Sequence, residues 1–263
     1  MKIATLNINS VNARLPNLSE WLNKNQPDIL FLQEIKCEYN NFPFFELQMS
    51  GYEAKILGQK SYNGVAVLSK HKMLLRAENL PEFTDENARY IEVEIECGGE
   101  KYVAASLYLP NGNPPYNNPQ DSSKFKYKLE WTEAFLRHAD NLLIENKNVV
   151  LGGDFNIIMT PGDVYNPELF AGNALYRPEV QNQLRRLMNM GYTDCYRALF
   201  PNDSGYTFWD YTGGAFINDL GMRIDYLFAS PGMADRLQKC TIDREFRAKE
   251  KSSDHTILLA EFS

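Results

Sequence analysis

Long apolar runs are missing from the 263-residue sequence, in which no stretch approaches the roughly 20 apolar residues that a membrane-spanning helix needs. The N-terminal segment MKIATLNINS alternates apolar and polar residues and lacks the apolar block and small-residue cleavage site of a secretory signal. Low-complexity tracts and repeats of fixed period are also missing. We therefore expect a cytoplasmic globular protein that makes no contact with a membrane.

Cysteine is scarce and scattered. The chain has four cysteines, Cys37, Cys97, Cys195 and Cys240, and no two of them form a C-x-x-C pair. Zinc ribbons and dithiol redox sites are built from such pairs, so the sequence argues against both. In a reducing cytosol we expect all four to be free thiols.

Positive charge is in deficit, with 27 lysines and arginines against 34 aspartates and glutamates and a net charge of −7. A protein that binds nucleic acid usually presents a basic surface, so the deficit weighs against such a partner. It does not exclude one, because carboxylates that bind a metal add negative charge, which the cation offsets locally. Two basic clusters could form a DNA-binding face or could be ordinary solvated surface: Lys124, Lys126 and Lys128, and the segment 236–251.

The patterns that are present predict a mixed α/β fold. Apolar or alternating runs predict strands at residues 3–9, 28–33, 64–69, 90–96, 101–109, 148–151, 224–229 and 256–262. Apolar residues at helical spacing predict helices around residues 15–22, 125–143 and 180–190. Because strands and helices do not alternate strictly, two packed sheets flanked by helices fit better than a barrel of βα units. We expect residues 1–263 to form a single domain.

One segment, PNGNPPYNNPQDS at residues 110–122, is too rich in proline and asparagine for a helix or a central strand. It is long for a plain connection, and loops of this length are often functional. A linker between two domains is the alternative, although the strand before it and the helix after it have the patterns of one packed unit.

Polar side chains mark the ends of six predicted strands. In the first strand, the two-residue period puts Asn7 and Asn9 on one face together with Thr5. The other five strands begin or end with Glu34, Tyr108 and Asn111, Asp154 and Asn156, Asp225, and Asp254-His255. Strand ends at one rim of a sheet come together in space. Carboxylate and amide oxygens suit Mg²⁺, a carboxylate can charge a histidine, and amide and phenol groups can hold phosphate oxygens.

Each of these side chains has a simpler explanation when taken alone. Glu34 could cap a turn, and the GDFN segment could be a glycine turn whose Asp and Asn bond their own backbone. Asp254-His255 could be a surface pair, Asn7 could satisfy a buried backbone group, and Tyr108 could be one more packing aromatic. Their joint occurrence in this order favours a phosphoryl-transfer site.

Eight segments carry a resemblance to a known family: TLNINSVNAR, PDILFLQEIKC, NGVAVLSK, LYLPNG, LGGDFNI, YTFWDY, RIDYLFAS and SSDHTILLAEF. In this order, and over nearly the whole chain, the sequence resembles the exonuclease III family of apurinic/apyrimidinic endonucleases. That family lies within the endonuclease/exonuclease/phosphatase superfamily, which includes DNase I. The LQE, GDFN and SDH segments recur across the superfamily, whereas NIN–VNAR, LYLPNG, YTFWDY and RIDYLFAS point to the DNA-repair branch.

The resemblance implies a DNase I-like, four-layered α/β sandwich of two packed mixed β-sheets flanked by helices. It implies a Mg²⁺ site, with Mn²⁺ as an alternative, at Glu34 with Asn9 and Asp254 nearby. It assigns Asp154 and Asn156 to the attacking water, and His255, paired to Asp225, to the scissile phosphate. Asn7, Tyr108 and Asn111 match the groups that hold the phosphate and stabilise the leaving oxygen.

The resemblance also implies a DNA-binding and lesion-binding set. Phe208 and Trp209 match an aromatic wall for a flipped-out abasic sugar, which Met222 and Ile224 would complete. The alternative is that the two aromatics belong to the core. Arg14 and Lys36 lie in matching segments and are expected to contact DNA. The sequence departs from the family at two places. Met222 stands where part of the family has an aromatic residue, which affects how tightly the pocket holds the sugar. The 110–122 loop is longer than in some relatives, which affects how the protein holds DNA.

The implied function is that of a Mg²⁺-dependent DNA-repair phosphodiesterase in which water attacks the phosphate in line. It would cut double-stranded DNA 5′ to abasic sites and process blocked 3′ ends, with 3′-phosphodiesterase and 3′→5′ exodeoxyribonuclease activity, as a monomer. One alternative is another phosphoesterase of this fold, acting on inositol phosphates or sphingolipids. A non-catalytic binding module is the other alternative, and it ranks low because every expected metal and phosphate ligand is present.

Overall fold

The computed structural model describes residues 1–114 and 118–263, which form two six-stranded sheets. The first sheet contains, in spatial order, β11 (Leu237–Asp243), β12 (Ile257–Phe262), β1 (Lys2–Asn7), β2 (Ile29–Gln33), β4 (Val65–Ser69) and β3 (Glu53–Leu57). The second contains β5 (Met73–Glu78), β6 (Tyr90–Cys97), β7 (Glu100–Tyr108), β8 (Val149–Asp154), β10 (Asp225–Ala229) and β9 (Thr193–Asp194). The helices are α1 (Val11–Asn25), α2 (Phe44–Met49), α3 (Ser123–Glu145), α4 (Pro178–Met190), α5 (Cys195–Leu199), α6 (Pro231–Ala234) and α7 (Arg244–Arg247).

Three apolar cores separate four layers. The two sheets pack face to face through residues such as Phe31 and Val67 of the first sheet and Val93 and Leu227 of the second. The outer face of the first sheet packs on α1 and α2, and the outer face of the second packs on α3 and α4. The predicted four-layered sandwich of two mixed sheets flanked by helices is therefore confirmed.

The directions of the strands gather six strand ends at one edge of the sandwich. Strands β1 and β2 run parallel, and β12 runs antiparallel to β1. Strands β7 and β8 run parallel, and β10 runs antiparallel to β8. The carboxyl ends of β1, β2, β7 and β8 and the amino ends of β10 and β12 therefore lie on the same side, where the sequence carries its polar residues.

Gly152 lets the two sheets approach closely beneath this edge. A Cβ atom at Gly152 would lie 2.4 Å from the Phe31 ring of the opposite sheet. Strand β8 therefore needs glycine at this position, and it runs on through Asp154 instead of ending at residue 151 as predicted. Strand β1 is shorter than predicted, because Asn9 has a left-handed φ of 48° that no strand accommodates.

Buried groups and ion pairs change the interpretation of the basic clusters. Lys128 is fully buried, so its assignment to either a DNA-binding face or a solvated surface is wrong. Within the segment 236–251, four cations lie in ion pairs: Arg236, Lys239, Arg244 and Lys249. These pairs leave the segment less cationic than its sequence suggests.

Two smaller expectations can also be compared with the structure. The four cysteines are free, as predicted. Among the helices in the described part of the chain, even the 23-residue α3 lacks the apolar length to cross a bilayer. The segment 110–122 contains residues 115–117, which lie outside the described residues, so the prediction for that loop is compared only at its flanks.

Candidate active site

A single buried amide joins the ends of the two sheets. Asn7, the last residue of β1, donates from Nδ2 to Glu34 Oε1 at 2.8 Å and to Asp154 Oδ2 at 3.0 Å. Glu34 follows β2 and Asp154 ends β8, so the contact spans the space between the sheets. Residues separated by 147 positions in sequence thus meet at the predicted edge.

An Asp–His pair lies beside this bridge. His255 Nδ1 is 2.8 Å from Asp225 Oδ2, and Thr207 Oγ1 donates to the same carboxylate oxygen at 2.6 Å. Burial would lower the pKa of His255, but the charges of Asp225 and Asp154 and the bond to Asp225 raise it well above its ordinary value. The imidazole is therefore a cation at neutral pH.

Asp154 has the opposite environment from an ordinary surface carboxylate. Its Oδ1 accepts from the Asn156 backbone N–H at 2.9 Å, and its Oδ2 lies 3.7 Å from His255 Nε2. Burial raises the pKa of Asp154, and the nearby charges of Asp225 and Glu34 raise it further against the opposing effect of His255. A buried carboxylate in this state can accept a proton near neutral pH.

The Lys36 ammonium lies among side-chain oxygen atoms next to Glu34. Lys36 Nζ lies 2.8 Å from Glu34 Oε2 and donates to Asn9 Oδ1 at 2.6 Å. Asn9 in turn donates from Nδ2 to Asp254 Oδ1 at 3.0 Å. Burial would raise the pKa of Glu34, but the bonds from Asn7 and Lys36 outweigh it and lower the pKa. The Glu34 carboxylate is therefore ionised at neutral pH.

Four non-glycine residues of the site hold a left-handed backbone: Asn9 with φ of 48°, Glu34 with φ of 51°, Lys36 with φ of 53° and Asn156 with φ of 49°. Residues with side chains adopt this region only at a cost, and such strain concentrates at functional sites.

Two amides and a phenol complete the edge. Tyr108 ends β7 beneath the Arg89 guanidinium, which lies 4.8 Å from the ring centre. Burial and the charges of Glu34 and Asp154 raise the pKa of Tyr108 far above its usual value, so the phenol is a neutral donor. Asn111 donates from Nδ2 to Asn156 Oδ1 at 3.2 Å.

An apolar wall stands next to the histidine. The Phe208 ring is 4.9 Å from the His255 ring, nearly edge to face, and Phe208 pairs through its backbone with Met222. Both side chains are partly exposed and pack on an apolar cluster that contains the buried Ile224. Phe208 and Met222 are thus the accessible part of the predicted lesion pocket, and Ile224 lies beneath them.

Trp209 faces the interior instead. Its side chain is fully buried, its Nε1 donates to Asp219 Oδ1 at 3.0 Å, and its ring lies edge to face on Phe216. Its backbone N–H donates to the Asp254 carbonyl at 2.9 Å, which fixes the segment that contains Asp254 and His255. The structure therefore gives Trp209 the environment of the core alternative, behind the wall formed by Phe208.

Arg14 and Lys36 lie at the rim of the site. Arg14 Nη2 donates to the Tyr211 hydroxyl at 3.1 Å, and that hydroxyl also lies 3.4 Å from Asn9 Nδ2. Tyr211 is half-exposed, so this corner is open to a ligand. Lys36 is partly exposed, and its ammonium points to Glu34 and Asn9.

Comparison with known proteins identifies the family. A model of the endonuclease/exonuclease/phosphatase family matches residues 4–255, a range that includes every predicted site residue from Asn7 to His255. The chain belongs to the endonuclease/exonuclease/phosphatase family.

Members of the family align with the chain along its length. Exodeoxyribonuclease III of Haemophilus influenzae is 29% identical over 271 residues and covers 100% of both chains. The DNA repair nuclease APEX1 of Danio rerio is 30% identical, with 99% of this chain and 82% of that protein covered. The Neisseria 3′ phosphatase NExo, bound to a product DNA hairpin, superposes with a TM-score of 0.93 at 37% identity, covering 100% and 99%. An AP endonuclease from Archaeoglobus fulgidus gives 0.91 at 32%, with the same coverage.

The nucleases of this family depend on a divalent metal, and the oxygen donors around Glu34 fit one. Carboxylate and carboxamide oxygens are the ligands that Mg²⁺ takes in proteins, and the Lys36 ammonium already lies among them. A second cluster, Asp154, Asp225 and His255, brings its ligand atoms within 4.8 Å of one another. This cluster is a second place where buried carboxylate and imidazole ligand atoms lie close together.

The sequence patterns placed Lys128 in a basic cluster and gave no sign of the contacts that it makes at the site. Its Nζ donates to the Asn156 carbonyl at 2.6 Å and to the Asn111 carbonyl at 3.0 Å. Burial lowers the pKa of Lys128 to about 7, and the charge of Asp154 partly opposes this. The available signal was its spacing, because Lys128 follows Phe125 by three positions on the predicted apolar face of α3. Thr207 and Tyr211, which hold Asp225 and Asn9, were missed as well.

Proposed function

We propose that this chain is a Mg²⁺-dependent DNA-repair phosphodiesterase that cuts the backbone 5′ to abasic sites. We also propose 3′-phosphodiesterase and 3′→5′ exodeoxyribonuclease activities, which act on blocked or free 3′ ends. The observation that carries the proposal is the Asn7 bridge between Glu34 and Asp154, with the charged His255 beside it. The names of the relatives, an exodeoxyribonuclease, a DNA repair nuclease and an AP endonuclease, support DNA as the substrate.

The cation and the hydrogen-bond donors at this edge are complementary to the negative charge that develops when water attacks a phosphodiester in line. Negative charge grows on the phosphate oxygens, where the His255 cation can stabilise it. Asn7, whose two amide hydrogens bond Glu34 and Asp154, would release one of these bonds to contact the phosphate. It also grows on the leaving 3′ oxygen, for which the neutral Tyr108 phenol and the Asn111 amide are the proposed donors. Asp154, held by amides, takes the proton of the attacking water.

Glu34 would hold the metal, with Asn9 and Asp254 beside it. When bound, Mg²⁺ supplies positive charge to the phosphate oxygens. The lowered pKa of Glu34 keeps this ligand ionised without help from the metal. Asn9 is held in its left-handed backbone and bonded to Asp254, so the oxygens on that side are fixed before any ligand arrives.

Lesion selectivity is proposed to come from the Phe208–Met222 wall. The centre of its Phe208 ring lies 4.9 Å from that of the His255 ring, and Met222 pairs with Phe208, so the wall is close enough to contact a sugar attached to the reacting phosphate. A sugar without its base can enter such a pocket, whereas a paired nucleotide must first leave the stack. Arg14 and Lys36 are the proposed DNA contacts at the rim.

We further propose that residues 1–263 act as one domain and as a monomer in the cytoplasm. Support for one domain comes from the site, whose residues are contributed by both sheets. Support for a reducing compartment comes from the four free cysteines.

The test uses a DNA duplex with one abasic analogue and an otherwise identical undamaged duplex. With Mg²⁺ we expect a cut directly 5′ to the analogue, and with EDTA we expect no cut. The undamaged duplex should be degraded only from its 3′ ends. Intact abasic duplex together with turnover of an inositol phosphate would overturn the proposal in favour of another phosphoesterase. Binding without cutting of any substrate would favour a non-catalytic module.

A further inference from the structure

We propose that Lys128 is a positioning residue of the nuclease site, whose buried amino group fixes the two loops that carry Asn111 and Asn156. This inference rests on the proposed function, since it assigns a role in turnover to a residue that touches neither phosphate nor metal. Lys128 lies in α3, after the long loop that begins at Asn111, and it has no exposed surface.

The amino group of Lys128 joins two backbone segments by donating a hydrogen bond to each of them. Lys128 Nζ donates to the carbonyl oxygen of Asn156 at 2.6 Å and to that of Asn111 at 3.0 Å. The side chains of the same two residues meet in a second bond, from Asn111 Nδ2 to Asn156 Oδ1 at 3.2 Å. Lys128 therefore holds the two loops together through their backbones, and the bond between Asn111 and Asn156 holds them together through their side chains.

Each loop needs this contact for a different reason. Asn156 keeps a left-handed backbone with φ of 49°, a region that asparagine enters more readily than most residues with side chains but still at some cost. Its N–H holds Asp154, so any rotation of this residue would move the proposed base. Asn111 is exposed, and the bonds that its Oδ1 accepts from Asn113, at 3.1 and 2.9 Å, stay within the same loop, whereas the bond from Lys128 ties its backbone to α3.

The chain is built to let the lysine reach this point. A Cβ atom at Gly112 would lie 2.7 Å from Lys128 Cδ, so only glycine leaves room for the lysine stem beneath the loop. Gly112 also has a φ of +84°, which turns the chain directly after Asn111. A lysine with a purely solubilising role would not need a glycine above its stem or two carbonyls at its end.

The test compares Lys128→Met, which keeps the length and apolar stem but cannot donate, with Thr132→Val as a matched control. Thr132 is buried one turn further along α3 and bonds only the Lys128 carbonyl, so its loss affects the helix and spares the loops. For Lys128→Met we expect kcat on abasic duplex to fall by about 10- to 100-fold with KM nearly unchanged, since small displacements of catalytic groups have effects of this size. For Thr132→Val we expect wild-type kcat.

Two further measurements separate positioning from general destabilisation. The backbone amides of residues 111–113 and 155–157 should exchange hydrogen faster in Lys128→Met than in Thr132→Val. Combining Lys128→Met with Asn111→Ala should cost less than the product of the single effects, because both act through the same loop pair. Unchanged exchange, or multiplicative effects in the double variant, would overturn the proposal. Because exchange needs no substrate, it decides the role of Lys128 even if wild-type protein fails to cut abasic DNA, the result that would sink the proposed function alone.

Discussion

Two buried carboxylates of the second sheet stand beside histidines, and their pKa values shift in opposite directions. Glu92, in β6, accepts from Arg76 Nε at 2.7 Å and Tyr90 OH at 2.7 Å, and lies 2.6 Å from His138 Nε2. Burial alone would raise its pKa, but these partners together lower it. Asp154, in β8, has a raised pKa although it too is buried near a histidine.

The difference lies in the partners. Asp154 is held by two neutral donors, the Asn7 amide and the Asn156 N–H, and it shares its surroundings with Asp225 and Glu34. Glu92 has a guanidinium, a phenol and an imidazole in direct contact. A buried carboxylate surrounded by strong donors stays ionised and stabilises the fold, whereas one with neutral donors and like charges becomes a proton acceptor.

The largest expected contrast is between Asp154→Asn and Glu92→Gln. Asp154→Asn should lower kcat on abasic duplex by about 100-fold or more, because the proposed base is lost. Glu92→Gln should leave kcat within about twofold of wild type, because Glu92 contacts no site residue. Single-turnover cleavage of both variants, with folding checked by circular dichroism, measures the contrast. Similar losses in both variants would erase the distinction between the two carboxylates.

Glu34 shows that the direction of a pKa shift does not by itself mark a catalytic group. Its pKa is lowered like that of Glu92, yet it lies among the proposed metal ligands. Glu34→Ala should lower kcat by about 100-fold at low Mg²⁺ and recover partly as Mg²⁺ is raised, as expected for a lost ligand. Glu46→Ala, an exposed acid of α2, is the control. A loss that does not respond to Mg²⁺ concentration would argue against ligation by Glu34.

Stability should reverse the ranking of the two carboxylates. Glu92→Gln should lower the free energy of unfolding by about 2 kcal/mol at neutral pH, since it leaves charged partners without a carboxylate. The pKa of Glu92 is lower in the folded state than in the unfolded state. Its ionised form therefore stabilises the fold above the unfolded pKa, and this contribution is lost as the pH falls through the folded pKa.

Asp154 has a raised pKa in the folded state, so its contribution to the free energy of unfolding is lost as the pH rises through that pKa. Asp154→Asn should therefore be at least as stable as wild type at pH 8. Urea unfolding in EDTA from about pH 2.5 to pH 8 covers both windows, because the Glu92 contribution is lost below its unfolded pKa of about 4.3. A destabilised Asp154→Asn at pH 8 would contradict the sign for Asp154.

The smallest expected effect concerns the aromatic neighbours of the two histidines. His255 has Phe208 at 4.9 Å, and His138 has Tyr90 at 5.7 Å, both near edge to face. Phe208→Ala should slow abasic cleavage by about tenfold while binding of intact duplex stays within about twofold, because only the flipped-out sugar contacts the wall. Tyr90→Phe should change neither. Equal effects of Phe208→Ala on cleavage and on intact-duplex binding would count against a lesion pocket.

The central strands could be predicted from the sequence, and the edge strands could not. The eight predicted strands correspond to β1, β2, β4, β6, β7, β8, β10 and β12. The four that were missed, β3, β5, β9 and β11, are the outermost strands of the two sheets. Edge strands are short or carry charges that prevent further pairing, as in EAKIL and LQKCTID, so their apolar pattern is weak.

The site was predictable where strand ends determine it and unpredictable where tertiary contacts do. Asn7 and Glu34 meet because the parallel strands β1 and β2 bring their carboxyl ends together, and Asp154 joins them from the end of β8 in the facing sheet. Lys128 was grouped with exposed lysines, since no local pattern indicates that two distant carbonyls would hold a buried amino group. The burial of Trp209 likewise depends on Phe216 and Asp219, which a linear pattern does not connect to it.

The pH dependence of single-turnover cleavage of the abasic duplex, at saturating Mg²⁺, tests most directly the claim that its surroundings make Asp154 a proton acceptor. Because the pKa of Asp154 is raised and that of Glu34 is lowered, the rate should decline on the acidic side close to neutrality. An ordinary aspartate has a pKa of about 4, so its decline would lie about three pH units further to the acidic side. A rate that holds constant down to about pH 5 would contradict the account.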